Sequence, residues 1–203
     1  MFHNNCYHNK KKRKLLDDND NEDTDNKVGQ YNIRTKGNNI YYYESIYKPQ
    51  ILELINQLKD LEETLLNLKY NYEVNPIIKI HIYSGGGDAF MGLSIYDFIK
   101  TLKIPVHTYI NGFIASAATF LFLAGEKRFM TENGNILIHQ ISTGFWGKFE
   151  DLEDEYKNTS ELMKIVKKIY MDNTSMSKKI IDNIIKRELY ISYSDAVKYN
   201  IIN

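Results

Sequence analysis

Apolar residues recur along most of the chain in two rhythms, a helical one and an alternating one. The switches between them divide residues 38–203 into successive elements. Ile51, Leu54, Ile55, Leu58, Leu61, Leu65 and Leu68 share one helical face, and Pro49 suits a first turn, so residues 49–68 are predicted to be a helix. Ile78, Ile80 and Ile82 alternate, predicting a strand over 77–83. A helix over 88–102 follows and offers Phe90, Leu93, Ile95 and Ile99 for burial. The same reading gives strands at 40–43, 104–110, 128–130 and 136–139 and helices at 116–123, 151–173 and 177–187. Ser192 followed by Asp195 resembles a capping arrangement that opens a short final helix. Strands alternating with helices predict an α/β domain with a largely parallel sheet.

Residues 1–37 break the rhythm. Positions 10–14 are basic and positions 17–25 acidic and rich in Asn. Such a segment buries too little apolar surface to offset its ordering entropy, so 1–37 is expected to be a disordered polar tail and 38–203 the folded domain. A nuclear-targeting or interaction patch is the other reading of the basic run, and the acidic run argues against an organelle transit peptide. Lys+Arg and Asp+Glu both total 26, a balance that calls for neither nucleic acid nor a membrane surface. The single cysteine, Cys6, excludes a disulfide within the chain. With no apolar signal core at the start, a reducing, cytoplasmic location is the expectation. The longest apolar run, 113–124, is shorter than the roughly 20 residues of a membrane span and reads as a buried helix.

Three segments carry candidate chemistry. Ser84-Gly85-Gly86-Gly87-Asp88 follows a strand and precedes a helix, where consecutive glycines turn the backbone sharply and expose N–H groups to an oxyanion or phosphate. A plain tight turn is the other reading, and the Lys and Ser/Thr of a phosphate loop are missing. In Asn111-Gly112-Phe113-Ile114-Ala115-Ser116-Ala117-Ala118 a strand ends, a glycine turn follows, and a serine with small neighbours sits where a helix begins. That is a nucleophile's position, or else a small residue allowing close helix packing. His139 ends the apolar strand in Asn135-Ile136-Leu137-Ile138-His139-Gln140, as a base or as a buried structural residue. His81 and His107 fall mid-strand and are expected to be structural, and His3 and His8 lie in the tail.

Together these segments resemble a known family. Residues 80–92, followed by Ser94-Ile95-Tyr96-Asp97, resemble the glycine-loop-and-helix signature of the Clp protease proteolytic subunits. Residues 112–116 resemble that family's nucleophile segment, 138–140 its histidine segment and 190–203 its C-terminal helix. The resemblance covers about residues 38–203. It implies the crotonase-like ClpP fold, α/β with a mostly parallel sheet, helices and a protruding strand–helix handle. It further implies a self-compartmentalising serine endopeptidase in which Ser116 attacks the peptide carbonyl and His139 takes its proton. The backbone N–H groups of Gly87 and Ala117 would form the oxyanion hole. Glu188 stands where the family usually has Asp; it keeps the carboxylate that orients the imidazole and adds a methylene, with Asp182 as a second candidate. No cofactor or metal bound by this chain is implied. The implied partners are unfolded polypeptide substrates, further copies in stacked heptameric rings, and an AAA+ unfoldase that uses the ATP. Residues 144–155 and the helix to 173 resemble the handle joining the rings, with Phe145, Trp146 and Phe149 as anchors and Arg187 as a contact across it.

The departures from the family are specific. Gly85 replaces the usual proline of the turn, extra residues stand near 64–75, and two are missing around 126–128. The family's axial loops have no clear counterpart in 27–39, which bears on unfoldase docking. Three other functions stay open: a non-catalytic ring subunit, a crotonase-fold enzyme acting on acyl-CoA thioesters, and a peptidase with a Ser–Lys dyad.

Overall fold

The computed structural model describes residues 31–144 and 146–203. The positions singled out in the tail, Cys6, His3, His8 and the two charge runs, lie outside the described residues, as does Phe145. A seven-stranded sheet forms the centre, in the order β1-β2-β3-β4-β6-β7, with β5 also paired to β4. The strands are β1 (Ile33–Lys36), β2 (Asn39–Tyr42), β3 (Ile78–Ser84), β4 (Val106–Ala115), β5 (Lys127–Met130), β6 (Asn135–Leu137) and β7 (Tyr190–Ile191). Pairings from β2 to β6 are parallel, and the two edge pairings, β1–β2 and β6–β7, are antiparallel. The first strand begins at Ile33, inside the segment assigned by composition to the tail: Ile33 is buried and β1 pairs with β2 through a turn at Gly37.

The helices are α1 (Lys48–Tyr72), α2 (Ala89–Thr101), α3 (Ala118–Leu123), α4 (Phe149–Asn173), α5 (Lys178–Arg187) and α6 (Tyr193–Lys198). The alternation read from the sequence sorts the sheet's two faces. Ile40, Ile80, Ile82, Ile110 and Ile114 join the core with α1, α2 and α3. Their neighbours face outward, where His81 is stacked between Tyr41 and Tyr109 at 4.8 Å from each, and Tyr109 stacks on Phe129 at 4.7 Å. His81 and His107 are therefore partly exposed on the open face, and desolvation lowers the pKa of each from its ordinary value. The extra residues near 64–75 mostly lengthen α1, which runs to Tyr72. No helix among the described residues is long and apolar enough to cross a membrane.

Several expectations change. The apolar run 113–124 is not one helix: it supplies the end of β4 and then α3. Gly112 is not a terminal turn but sits within β4 at φ 92, where the β3–β4 register shifts. Phe90 is exposed beside the glycine loop rather than buried in α2. The strand expected over 136–139 ends at Leu137, so His139 lies just past it, and no strand forms among described residues 138–148.

Gly85 lacks a left-handed φ and has open space around an added Cβ, so glycine there serves no packing need. Gly85→Ala is expected to raise unfolding stability by about 0.4–1 kcal/mol through the unfolded chain. Gly86→Ala, which would press on Ser116, should cost more than that and lower the midpoint of chemical denaturation.

Candidate active site

Ser116 follows β4 directly and has φ 55, the left-handed region that a side chain rarely adopts. Its N–H donates to the Leu137 carbonyl at 2.9 Å, continuing the β4–β6 ladder by one bond, and its own carbonyl accepts from Thr119 N at 2.9 Å as α3 begins. The serine is thus tied at both ends and remains partly exposed. The glycine loop lies over it. A Cβ on Gly86 would stand 2.7 Å from Ser116 Cβ and 3.1 Å from Ala117 N, and Gly92 of α2 packs as tightly on Ala117 from behind.

The loop's direction is set by a bridge to Ile46. The Ile46 N–H donates to the Gly86 carbonyl at 2.9 Å, and Asp88 N–H donates to the Ile46 carbonyl at 2.7 Å. Backbone groups alternate along an extended segment, so the Gly87 N–H points away from Ile46. Gly87 lines the same groove as Ser116 and His139. Among the described residues neither Gly87 N–H nor Ala117 N–H has an acceptor. Two free donors beside a serine are an arrangement that can stabilise a developing oxyanion.

His139 Nδ1 lies 2.6 Å from the Gln140 carbonyl oxygen. A carbonyl only accepts, so Nδ1 carries the proton, and in the neutral ring Nε2 is left with its lone pair. That is the tautomer a general base requires. The sequence reading missed Gln140, because a backbone carbonyl has no residue signature.

Glu188 does not fill its expected place. The α5 helix ends at Arg187, and Glu188 takes the left-handed cap position at φ 51 with its side chain exposed. It neither lines the groove nor hydrogen-bonds to His139. The reason is where the β6–β7 ladder stops. Leu137 pairs with Tyr190, so two further residues of antiparallel register would set His139 opposite Glu188, but the ladder ends first. Asp182 is committed elsewhere: its Oδ1 meets Lys167 Nζ at 2.7 Å, tying α5 to α4, and that lysine holds its carboxyl below the usual range.

The groove encloses about 760 Å³ between the glycine loop and α4. Phe90, Ile141, Leu162 and Ile165 give it an apolar wall, and the charged side chains along it are all acidic: Asp88, Glu155 and Glu161. Asp88 Oδ1 caps α2 by accepting from Met91 N at 2.9 Å, and Glu161 pairs with Lys164 at 2.5 Å. The cleft can therefore hold an extended apolar or amphipathic chain with a carbonyl presented to Ser116.

The chain is also similar to known proteins. The Clp protease family model matches residues 32–203. The ATP-dependent Clp protease proteolytic subunit of Deinococcus radiodurans is 34% identical over 128 residues, 62% of this chain and 63% of that protein, so the match spans less than two thirds of its length. Proteolytic subunit 2 of Treponema denticola is 31% identical over 150 residues, 71% of this chain and 75% of the relative. Among solved structures, ClpP1 from Listeria monocytogenes superposes with a TM-score of 0.68 at 27% identity, covering 82% of this chain and 89% of that one. A point mutant of the same protein gives 0.71, again at 27% identity, over 82% and 90%.

The Gln140 contact makes a prediction independent of turnover. In ¹⁵N spectra recorded where the ring is neutral, His139 should show a protonated Nδ1 and a bare Nε2. A proton on Nε2 instead would mean that the Gln140 carbonyl does not orient the ring.

Proposed function

The chain belongs to the Clp protease family, and from that premise we propose that it is a serine endopeptidase subunit that cleaves unfolded polypeptides. Ser116 Oγ attacks the scissile carbonyl while His139 Nε2 takes its proton, and the tetrahedral oxyanion is held by Gly87 N–H and Ala117 N–H. His139 then gives the proton to the leaving amine, and water resolves the acyl-enzyme by the same route. The observation that carries this reading is the groove shared by a left-handed Ser116, Gly87 with its unengaged N–H and a histidine whose Nδ1 is already bonded, with the Ala117 N–H next to Ser116 in the chain. These steps use side chains, backbone amides and water; ATP is consumed by the partner.

Glu188 is the proposed orienting carboxylate, acting when the β6–β7 ladder lengthens by two residues to bring it across from His139. A non-catalytic ring subunit is the second reading, favoured by the separation of Glu188 from the ring nitrogen. Family membership leaves no support for an acyl-CoA substrate.

The proposed partners follow the family: copies of this chain in stacked heptameric rings and an AAA+ unfoldase. Phe149, Leu152 and Tyr156 form one exposed helical face of α4, next to Trp146, which is 99% exposed. Such a row suits an interface. The aromatic stack on the open sheet face is a second apolar surface of the kind a docking partner covers. Neither nucleic acid nor a membrane is proposed, and the cytoplasm is the proposed location.

A fluorophosphonate probe at neutral pH, with the adduct located by mass spectrometry, tests the chemistry. Labelling should fall on Ser116, vanish in Ser116→Ala and slow by about 100-fold or more in His139→Ala. Glu188→Ala should slow it by about 10- to 100-fold, as a misplaced imidazole does. An assembled ring that takes no label would favour the non-catalytic subunit. Assembly has its own signal, since Trp146 is the single tryptophan. Its emission should shift to shorter wavelength as protein concentration drives subunits together, and Trp146→Asp should yield smaller particles in sedimentation. An unshifted emission across assembly would remove Trp146 from the interface.

A further inference from the structure

Thr119 and Tyr170 lie behind the nucleophile, each buried to 2% exposure, and the chemistry above uses neither. The Ser116 carbonyl accepts twice from Thr119, from its N–H at 2.9 Å and from Oγ1 at 2.6 Å. A hydroxyl has one proton, and that of Thr119 is committed to the carbonyl. The 2.6 Å contact between Thr119 Oγ1 and Tyr170 OH must then run with Tyr170 donating. Burial pushes the Tyr170 phenol above its ordinary range, so it remains a donor at neutral pH. The result is a directed relay from the last turn of α4, through Thr119, to the nucleophile's own carbonyl.

That carbonyl shares a rigid plane with the next N–H. The Ser116–Ala117 peptide is a flat trans unit in which C=O and N–H point in opposite directions. Holding the Ser116 carbonyl toward Thr119 therefore turns the Ala117 N–H toward the glycine loop, where a Cβ on Gly86 would stand 3.1 Å from it. Two hydrogen bonds drawn from one carbonyl also polarise the N–H across the plane. A left-handed serine is strained and persists only where its surroundings fix it. Its N–H is fixed by Leu137, and Thr119 fixes the other end.

We propose that Thr119 and Tyr170 are positioning residues for the oxyanion hole, locking the Ser116–Ala117 peptide so that its N–H faces the substrate and coupling that geometry to the end of α4. The inference rests on the peptidase reading of Ser116. It predicts an effect on transition-state stabilisation with substrate binding spared.

The test uses the full chain with three variants. Tyr170→Phe removes one oxygen and keeps the ring, Thr119→Val removes the hydroxyl at similar size, and Thr119→Ser retains it. With a fluorogenic peptide, Tyr170→Phe should lower kcat about 10-fold and Thr119→Val about 10- to 100-fold, less than loss of an oxyanion donor outright, while KM stays within about twofold. Thr119→Ser should recover most of the loss. The Tyr170→Phe/Thr119→Val pair should be no slower than Thr119→Val alone, because both act through one bond. Unchanged kcat in both single variants, with Ser116 still labelled at the wild-type rate, overturns the relay and leaves the peptidase reading standing. If the wild-type protein takes no label, the peptidase reading fails, and amide hydrogen exchange decides the relay alone. Faster exchange at Thr119 in Tyr170→Phe than in wild type supports it; equal exchange overturns it.

Discussion

An atom at the Cβ position of Gly86 would stand 2.6 Å from the Ala115 carbonyl oxygen and 2.7 Å from Ser116 Cβ, inside the contact distance of either. The glycine loop and the Ser116 turn therefore occupy one small volume only because position 86 has no side chain. The consequences spread outward. Gly87 is pressed by its bridge onto Ile46, which leaves its N–H with one direction to face, and Gly92 brings α2 onto Ala117 from the far side. Ser116, confined from the loop side, accepts a left-handed backbone that would otherwise relax.

The same compression explains the shape of β4. Up to Ile110 it pairs with β5, and from Phe113 it pairs with β6. On its other side, Ile82 pairs with Ile110 but Ser84 with Ile114, so β4 spends extra residues around Gly112 while β3 spends few. A bulge of this kind bends and re-aims a strand. Here it frees β4 from β5 and carries Ser116 to the end of β6, whose chain continues into His139. Ser116 and His139 both line the groove because one strand changes partner.

Much of this was readable from the residues. Ile78, Ile80 and Ile82 gave β3 its buried face, and Ser192 caps the helix that follows by accepting from Asp195 N. Ser116 and His139 stood out as candidates because small residues and a strand end mark them. What stayed hidden depends on distant partners. Ile33 reads as one apolar residue in a polar stretch until β2 pairs with its strand. Gly112 reads as a terminator because a bulge requires the neighbouring strand's register. Thr119 and Tyr170 are 51 positions apart and look like ordinary helix residues until the fold sets one oxygen against the other.

Glu188 was placed by motif, and a motif specifies order along the chain but not the length of a ladder. Leu137 opposite Tyr190 already sets the correct parity, since two further steps arrive at His139 and Glu188 without a register slip. What opposes those steps is local. The α5 helix closes on a left-handed Glu188, a conformation that turns the chain away from strand geometry, and among the described residues Ile138 to Gln140 pair with no strand. An unpaired segment next to an exposed aromatic row on α4 is a surface that a second subunit could order. Pairing there would hold the backbone of 138–140 extended. Extension of that backbone is the condition for β7 to pair past Tyr190, so the proposed assembly and the proposed orienting role of Glu188 draw on the same few residues.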